Sequence, residues 1–231
     1  MRRLWIIAAA LFLLGATLPK SALALSKGAV VEGSAEYLGV TVPLPPGKWE
    51  VVDTVTIKNP GYPNFPIKQA VLASRSGNVV DRVTRIWVQQ KLRSADWFNA
   101  YHPCDADGYF FSVVKENTGK TLDCWHVREV SLGLDGSPEA GTLALTDYGK
   151  SNGLFVPVVM IGARFARLQD PRQRFYVEYL WTPDLLVAAD TENHVWLPDD
   201  WTSDAVKSDP RKTALVETII AWAKDWRERI H

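Results

Sequence analysis

The sequence predicts an α+β fold: a single domain in which an antiparallel β-sheet of about six to eight strands is covered by a mid-chain helix and a C-terminal amphipathic helix. Runs such as residues 49–57 alternate between apolar and polar side chains, which is typical of half-buried strands. Near the end of the chain, Leu215, Ile219 and Trp222 recur at helical spacing. The length of 231 residues, 47% of them hydrophobic, suits one domain with a substantial core.

The first 24 residues have the pattern of a secretory signal peptide. Arg2 and Arg3 supply the positive start, residues 4–18 form the apolar region, and residues 21–24 end in a small-x-small cleavage site. The apolar run is about 15 residues long, which is shorter than the roughly 20 that a membrane-spanning helix needs. We therefore expect cleavage after Ala24, no stable membrane anchor afterwards, and a periplasmic or secreted protein.

The charge of the exported chain argues against nucleic acid as a partner. The whole sequence holds 26 Lys and Arg against 26 Asp and Glu, and removal of Arg2, Arg3 and Lys20 leaves 23 against 26, a net charge of about −3. No basic run remains in the mature chain. A mildly acidic surface has no general attraction for a phosphate backbone, so nucleic-acid binding is not expected.

The first part of the mature chain alternates between strands and turns. Residues 25–36 are small and polar, which predicts a flexible leader before a domain that spans residues 37–231. The first expected strands are residues 37–42, 49–57, 67–73 and 79–89. The most apolar stretch, residues 154–167, is expected near the centre of the sheet, with residues 174–181 as its antiparallel partner.

The two cysteines lie beside a predicted β-hairpin. Residues 109–114 and 121–132 are its expected strands, joined by a polar turn. Cys104 and Cys124 fall near its open ends, and in an oxidising compartment two cysteines usually pair. Closing a loop of about 20 residues stabilises a fold by roughly 3 kcal/mol. We expect this disulfide, with the rest of the fold packed around the hairpin.

Two histidines close to these cysteines offer an alternative. His102, Cys104, Cys124 and His126 are four potential ligands for a tetrahedral zinc or for copper. One residue separates each His–Cys pair, instead of the roughly two to four that are usual in zinc sites. Export also favours oxidised cysteines. The disulfide is therefore the main prediction, metal handling through these four residues stays the alternative, and no cofactor is expected.

Two helices are predicted to cover one face of the sheet. A Ser-Pro-Glu entry signal with Ser137 as the cap predicts the mid-chain helix over residues 138–148, with Gly149 at its end. Asp209 caps the C-terminal helix, which is expected over residues 209–230. Its charged face is expected to be solvated.

Aromatic side chains on predicted loops are the candidate ligand contacts. Tyr62 and Phe65 lie in the proline-rich loop at residues 59–66, and Trp196 and Trp201 lie in a later loop. Exposed aromatic rings can stack on sugars or hold apolar ligands. The tryptophans on predicted strands and helices are expected in the core instead.

No sequence motif assigns a reaction. The Ser-x-x-Lys that begins at Ser112 falls in a predicted strand rather than at a helix start, and its companion motifs are absent. The leading hypothesis is a non-enzymatic exported protein that binds a small ligand or takes part in an assembly with envelope proteins. The alternative is a hydrolase whose site forms only in three dimensions, for example from His102, His126, His194 and Asp199.

Three further features occur together along the chain. They are Leu44-Pro45-Pro46-Gly47-Lys48-Trp49 at the opening of a β-meander, the Cys…Cys-Trp pair, and a closing helix with Trp222 and Trp226. In these features the chain resembles uncharacterised exported proteins of proteobacteria, over most of its mature length. The resemblance implies an exported location and assigns no role to any residue.

We predict that the protein purified from the periplasm starts at Leu25. Its intact mass under non-reducing conditions should be about 2 Da below that of the dithiol, because two hydrogens are lost when Cys104 and Cys124 pair. Alkylation should leave this mass unchanged. Two free thiols that react only after a chelator is added would instead indicate a metal site.

Overall fold

The computed structural model of the chain describes residues 25–57, 66–90, 104, 107–117, 121–132, 139–170, 173–185 and 195–230. These residues form ten strands and three α-helices in one α+β domain, which confirms the predicted fold class. The strands are β1 (Val30–Val31), β2 (Ser34–Tyr37), β3 (Val40–Pro43), β4 (Trp49–Ile57), β5 (Ile67–Ser76), β6 (Val79–Gln90), β7 (Phe111–Asn117), β8 (Leu122–Ser131), β9 (Val159–Asp170) and β10 (Gln173–Trp181). The helices are α1 (Ala140–Asn152), α2 (Ser203–Ser208) and α3 (Pro210–Arg227), with short 3-10 helices at Pro183–Leu185 and Pro198–Trp201.

Eight of the strands form one antiparallel sheet, in the order β1-β4-β5-β6-β10-β9-β8-β7. Its centre is the pair of β6 and β10, where Arg85 lies opposite Glu178. The cysteine hairpin of β7 and β8 lies at one edge, because β8 continues the sheet only through β9. The prediction that the fold packs around this hairpin is therefore wrong. A separate small sheet is formed by β2 and β3.

The large sheet buries apolar side chains on both faces, and a helix packs on each of them. Along β9, Ile161 and Phe165 share a buried cluster with Leu215 of α3, on what we call the α3 face. Met160 points to the opposite side, the α1 face, and packs in a cluster with Leu145 of α1. The prediction that both helices cover one face is wrong. Neighbouring residues of β9 are apolar on both sides of the sheet, so each face needs its own cover.

Residues 25–36, predicted to be a flexible leader, carry β1 and most of β2. The backbone N–H of Gly28 donates to the carbonyl oxygen of Val51 at 2.8 Å, so the segment lies along the outer side of β4. Leu25 and Ala35 are buried in the α3-face cluster. The segment belongs to the sheet because backbone hydrogen bonds hold it against the edge of β4. Such bonds leave no side-chain pattern.

The disulfide between Cys104 and Cys124 is confirmed, with their Cα atoms 6.0 Å apart. Cys124 lies on β8 opposite Val114 of β7, nearer to the hairpin turn than to its open end. The bond packs beside Trp87 and Tyr176 on the same side of the sheet as α1. Because both sulfur atoms are bonded to each other, neither is the thiolate that a zinc site needs. The alternative metal site therefore loses two of its four ligands.

The helix ends follow the sequence in part. α1 ends at Gly153, whose φ of 63° is the left-handed conformation typical of a helix terminus. Gly149, the expected end, is buried inside the helix, and the expected cap Ser137 lies outside the described residues. α3 begins as predicted, since the side chain of Asp209 accepts a hydrogen bond from the backbone N–H of Arg211 at 2.9 Å. No helix among the described residues is both long enough and apolar enough to cross a membrane.

We predict that Gly162→Ala destabilises the fold. Gly162 lies on β9 opposite Leu180, and a Cβ atom there would be less than 3.0 Å from the backbone carbonyl oxygen of Tyr179. Relieving this contact requires movement of two paired strands, so the free energy of unfolding should fall by roughly 1–3 kcal/mol. Urea unfolding measures the change, and an unaltered midpoint would contradict this account of the β9–β10 pair.

Candidate ligand-binding cleft

A cleft of about 350 Å³ opens at the β1 side of the large sheet. It lies where β1, β4, β5 and β6 meet the second half of α1. Its lining residues are Val30, Lys48, Glu50, Ala73, Ser74, Arg75, Arg82 and Tyr148. The volume lies within the range of roughly 300–1,000 Å³ that is typical of small-molecule sites.

The sheet register brings together residues that are distant in the sequence. Val30 lies opposite Glu50, and Glu50 in turn lies opposite Ala73, so one row across β1, β4 and β5 forms the floor of the cleft. The pairing of β5 with β6 shifts between Ser74 and Arg75. This irregularity lies at the rim of the cleft, where the regular alternation of side chains between the two faces is interrupted.

Arg82 is held in place by the segment that leads into β4. Its Nη1 donates to the carbonyl oxygen of Pro46 and its Nη2 donates to Oγ of Ser74, each at 2.9 Å. The guanidinium carbon lies 5.2 Å from the ring centroid of Trp49, and Nε lies 3.8 Å from Oδ1 of Asp81. The side chain is therefore fixed in position while it remains part of the cleft wall.

The lining also holds a carboxylate that is fixed by a phenol. The hydroxyl of Tyr148 donates to Oε2 of Glu50 at 2.8 Å. Burial, with the hydrogen bond to Glu50 and its negative charge, raises the pKa of Tyr148 to about 12. The phenol thus keeps its proton at neutral pH and acts as a donor to Glu50.

The cleft has an excess of positive charge, although residues 25–231 hold 23 Lys and Arg against 26 Asp and Glu. Lys48, Arg75 and Arg82 line it against the single carboxylate of Glu50. Lys48 and Arg75 are exposed, whereas Arg82 and Glu50 are half-buried. Cations grouped in a concave surface raise the local concentration of anions, so the arrangement suits an anionic small molecule.

A second group of charges lies buried at the centre of the α1 face. We call Glu178, Arg85, Arg128 and Arg164 the Glu178 cluster. Glu178 is 1% exposed; its carboxylate lies 2.6 Å from Nη2 of Arg85, 3.1 Å from Nε of Arg164 and 3.3 Å from Nη2 of Arg128. Burial alone would raise the pKa of Glu178, but Arg164, Arg85 and Arg128 together hold it well below its usual range.

The Glu178 cluster also holds the start of α1. Nη1 of Arg85 lies 3.5 Å from Oε2 of Glu139 and 3.5 Å from Oγ1 of Thr142. The indole N–H of Trp87 donates to Oε1 of Glu139 at 3.1 Å. The cluster therefore links four strands to the first turn of the helix. Its charged groups pair with one another and with that turn, so we assign them a structural role.

His126 lies beside this cluster as a buried neutral side chain. Its ring is 0% exposed and stacks in parallel on Tyr109, with ring centroids 3.9 Å apart. Neither ring nitrogen has a hydrogen-bond partner in the described part of the chain. Burial, and then the positive charges of Arg164 and Arg128, lowers the pKa of His126 to about 3. The ring is thus closed to solvent and uncharged at neutral pH.

The two tryptophans expected to contact a ligand are instead buried. Trp196 is 7% exposed and Trp201 is 2% exposed, with their ring centroids 5.3 Å apart. The indole N–H of Trp196 donates to Oδ1 of Asp184 at 2.7 Å, and Nζ of Lys212 lies 5.3 Å from the Trp196 ring. The segment was predicted to be a loop, but Pro198–Trp201 form a 3-10 helix, and both indole rings pack in the α3-face cluster. The other two candidates, at positions 62 and 65, lie outside the described residues.

The structure does not bring together the described members of the hydrolase set. His126 is on the α1 face, whereas Asp199 is exposed on the 3-10 helix whose Trp201 packs on the α3 side. His102 and His194 lie outside the described residues.

Sequence reasoning missed the cleft itself. Lys48, Glu50, Arg75, Arg82 and Tyr148 are separate charged or polar residues in the sequence, and none forms a motif with another. The one available signal was the segment before β4, which combines prolines with a lysine and a tryptophan.

Comparison with known proteins adds no assignment. No protein-family model, curated protein or solved structure matches this chain.

We predict that His126 makes the fold sensitive to mild acid. Its folded pKa of about 3 is below the usual 6.5, so the unfolded state binds more protons between these values and stability is lost as pH falls through this window. From pH 7 to pH 5 the free energy of unfolding should fall by about 2 kcal/mol through this residue.

The matched variant is His126→Phe, which keeps a ring against Tyr109 but cannot be protonated. Its unfolding free energy, measured in urea at pH 7 and pH 5, should change by much less than that of the natural protein. Most carboxylates stay ionised between pH 7 and pH 5, so they contribute little to the difference. Glu178 also stays ionised in this range, because its pKa is lowered. Equal pH dependence in both proteins would contradict the buried neutral state of His126.

Proposed function

We propose that the protein is an exported, non-enzymatic binding domain that holds a small anionic ligand in the cleft between β1, β4, β5, β6 and α1. The observation that carries the proposal is the grouping of Lys48, Arg75 and Arg82 around one concave site with a single carboxylate, Glu50. The volume of about 350 Å³ corresponds to a metabolite-sized molecule rather than to a polymer.

The chemistry of the lining residues supports binding over catalysis. The pKa of Tyr148, raised to about 12, is far from the neutral range in which a proton-transfer group works best. The hydroxyl of Ser74 accepts from Arg82 and has no base beside it among the described lining residues. Arg82 is fixed by four neighbours, which suits the recognition of a charge.

Export is the second part of the proposal. Residues 1–24 have the signal-peptide pattern, and the Cys104–Cys124 disulfide is of the kind that persists in oxidising compartments. A periplasmic or secreted location would place the cleft in contact with small solutes outside the cytoplasm. The cleft supports ligand binding rather than assembly with envelope proteins. The residues that line it are not the aromatic residues that the sequence offered as ligand contacts.

We predict that the exported protein binds glutarate and does not measurably bind its neutral diamide, which has the same carbon chain. Isothermal titration calorimetry at low salt measures both. Affinity for glutarate should fall as salt is raised, because the cations of the cleft are partly exposed and therefore screened. Arg75→Gln should weaken binding about fivefold, which corresponds to about 1 kcal/mol for an exposed charge.

The matched control is Lys68→Gln, which removes an exposed cation from β5 outside the cleft. This variant should bind glutarate with unchanged affinity. Equal weakening by Arg75→Gln and Lys68→Gln would show that the overall charge, and not the cleft, attracts the anion. Binding of the diamide as tightly as glutarate would contradict the proposal directly.

A further inference from the structure

We infer that the ligand of the cleft carries a hydrogen-bond donor, a hydroxyl or an ammonium group, beside its anionic group. This inference rests on the proposed function and narrows it to hydroxy acids and amino acids as a chemical class. Two features of the cleft lead to it: a carboxylate oxygen of Glu50 that has no donor among the described residues, and three cations in the same lining, of which Arg82 is fixed by its neighbours.

The carboxylate of Glu50 is a fixed acceptor. Oε2 is engaged by the hydroxyl of Tyr148 at 2.8 Å, while Oε1 has no donor among the described residues. The backbone of Glu50 is paired on both sides, with Val30 of β1 and Ala73 of β5. A side chain that is fixed at its backbone and at one oxygen presents its other oxygen in a defined position.

The cations are arranged to hold the anionic end. Arg82 has five N–H groups, and its interactions with Pro46 and Ser74 use one hydrogen each of Nη1 and Nη2. The second hydrogen of each of these nitrogens is not taken by those two bonds. Arg75 and Lys48 add exposed charges at the rim. Together they provide donors and positive charge, which favour an acceptor that is negatively charged.

A ligand that is only an anion would fit this cleft poorly. Its negative charge would enter beside the negative charge of Glu50, and Oε1 would lose water without gaining a partner. A ligand that places a donor next to its anionic group can pair with Glu50 and with the cations of the lining at once. An ammonium adds a favourable charge interaction with Glu50, and a hydroxyl supplies the hydrogen bond alone.

The test uses three probes with the same carbon chain and the same two carboxylates: glutarate, 2-hydroxyglutarate and glutamate. They differ only in the group on the second carbon, which is hydrogen, hydroxyl or ammonium. Titration calorimetry of the exported protein should show both donor-bearing probes binding about tenfold or more tighter than glutarate. The ratio of the dissociation constants of 2-hydroxyglutarate and glutamate shows whether the cleft prefers a hydroxyl or an ammonium donor.

Variants of Glu50 assign the preference to its carboxylate. Glu50→Ala should abolish the preference for the donor-bearing probes, because the acceptor is gone, and should tighten glutarate binding, because a like charge has been removed. Glu50→Gln is nearly isosteric and keeps an acceptor oxygen, so it should weaken glutamate selectively and spare 2-hydroxyglutarate. If Glu50→Ala does not fold, Glu50→Gln still decides the question for glutamate, whose ammonium group loses its charged partner while 2-hydroxyglutarate keeps its hydrogen bond. Glu36→Gln, an exposed position on β2 outside the cleft, is the matched control.

The outcomes separate the inference from the proposed function. Equal binding of all three probes would overturn the inference and leave the anion-binding function intact. A preference for the donor-bearing probes that persists in Glu50→Ala would also overturn it, because the donor would then be recognised elsewhere. Absence of binding by all three probes would overturn the proposed function, and the inference would fall with it.

Discussion

The buried carboxylate of Glu178 is the constraint on which much of the structure depends. An ionised group that is 1% exposed is costly unless it is fully paired. Glu178 lies on β10, and its carboxylate pairs with three guanidinium groups, one each from β6, β8 and β9. These ion pairs form only when all four strands are in their observed register. Arg85 extends this network to Glu139 and Thr142 at the start of α1. Tyr148 lies in the second half of the same helix and donates to Glu50. The interactions that hold the start of α1 therefore also help to position this residue of the cleft.

Much of the fold follows from periodicity in the sequence. Alternating runs predicted β4 and the β5–β6 pair, and Asp209 marked the start of α3, because these signals are local. The side of the sheet that each helix covers was not predictable in this way. β9 is apolar on both faces, so its composition does not distinguish a one-sided from a two-sided cover. β1 was missed because two residues held by backbone hydrogen bonds leave no side-chain pattern.

The candidate site was largely beyond sequence reasoning. A loop tryptophan has the same sequence signature whether it faces solvent or folds back, and Trp196 and Trp201 fold back because Asp184 and Lys212 provide partners there. The residues that line the cleft could not be predicted for a different reason. Isolated residues such as Arg75 and Glu50 resemble ordinary solvated charges, and only the pairing of Glu50 with Ala73 makes them neighbours. The disulfide was predictable, because the chain has only two cysteines and the expected compartment is oxidising.

The central claim is that a small anion binds between Lys48, Glu50, Arg75 and Arg82. The most direct measurement is a two-dimensional NMR titration of the backbone amides of the protein with glutamate. The account predicts saturable shifts confined to the cleft, at Glu50, Ser74, Arg75 and their neighbours, with little change around the buried Trp196 and Trp201. Shifts that centre on another surface, or a spectrum that glutamate leaves unchanged, would contradict it.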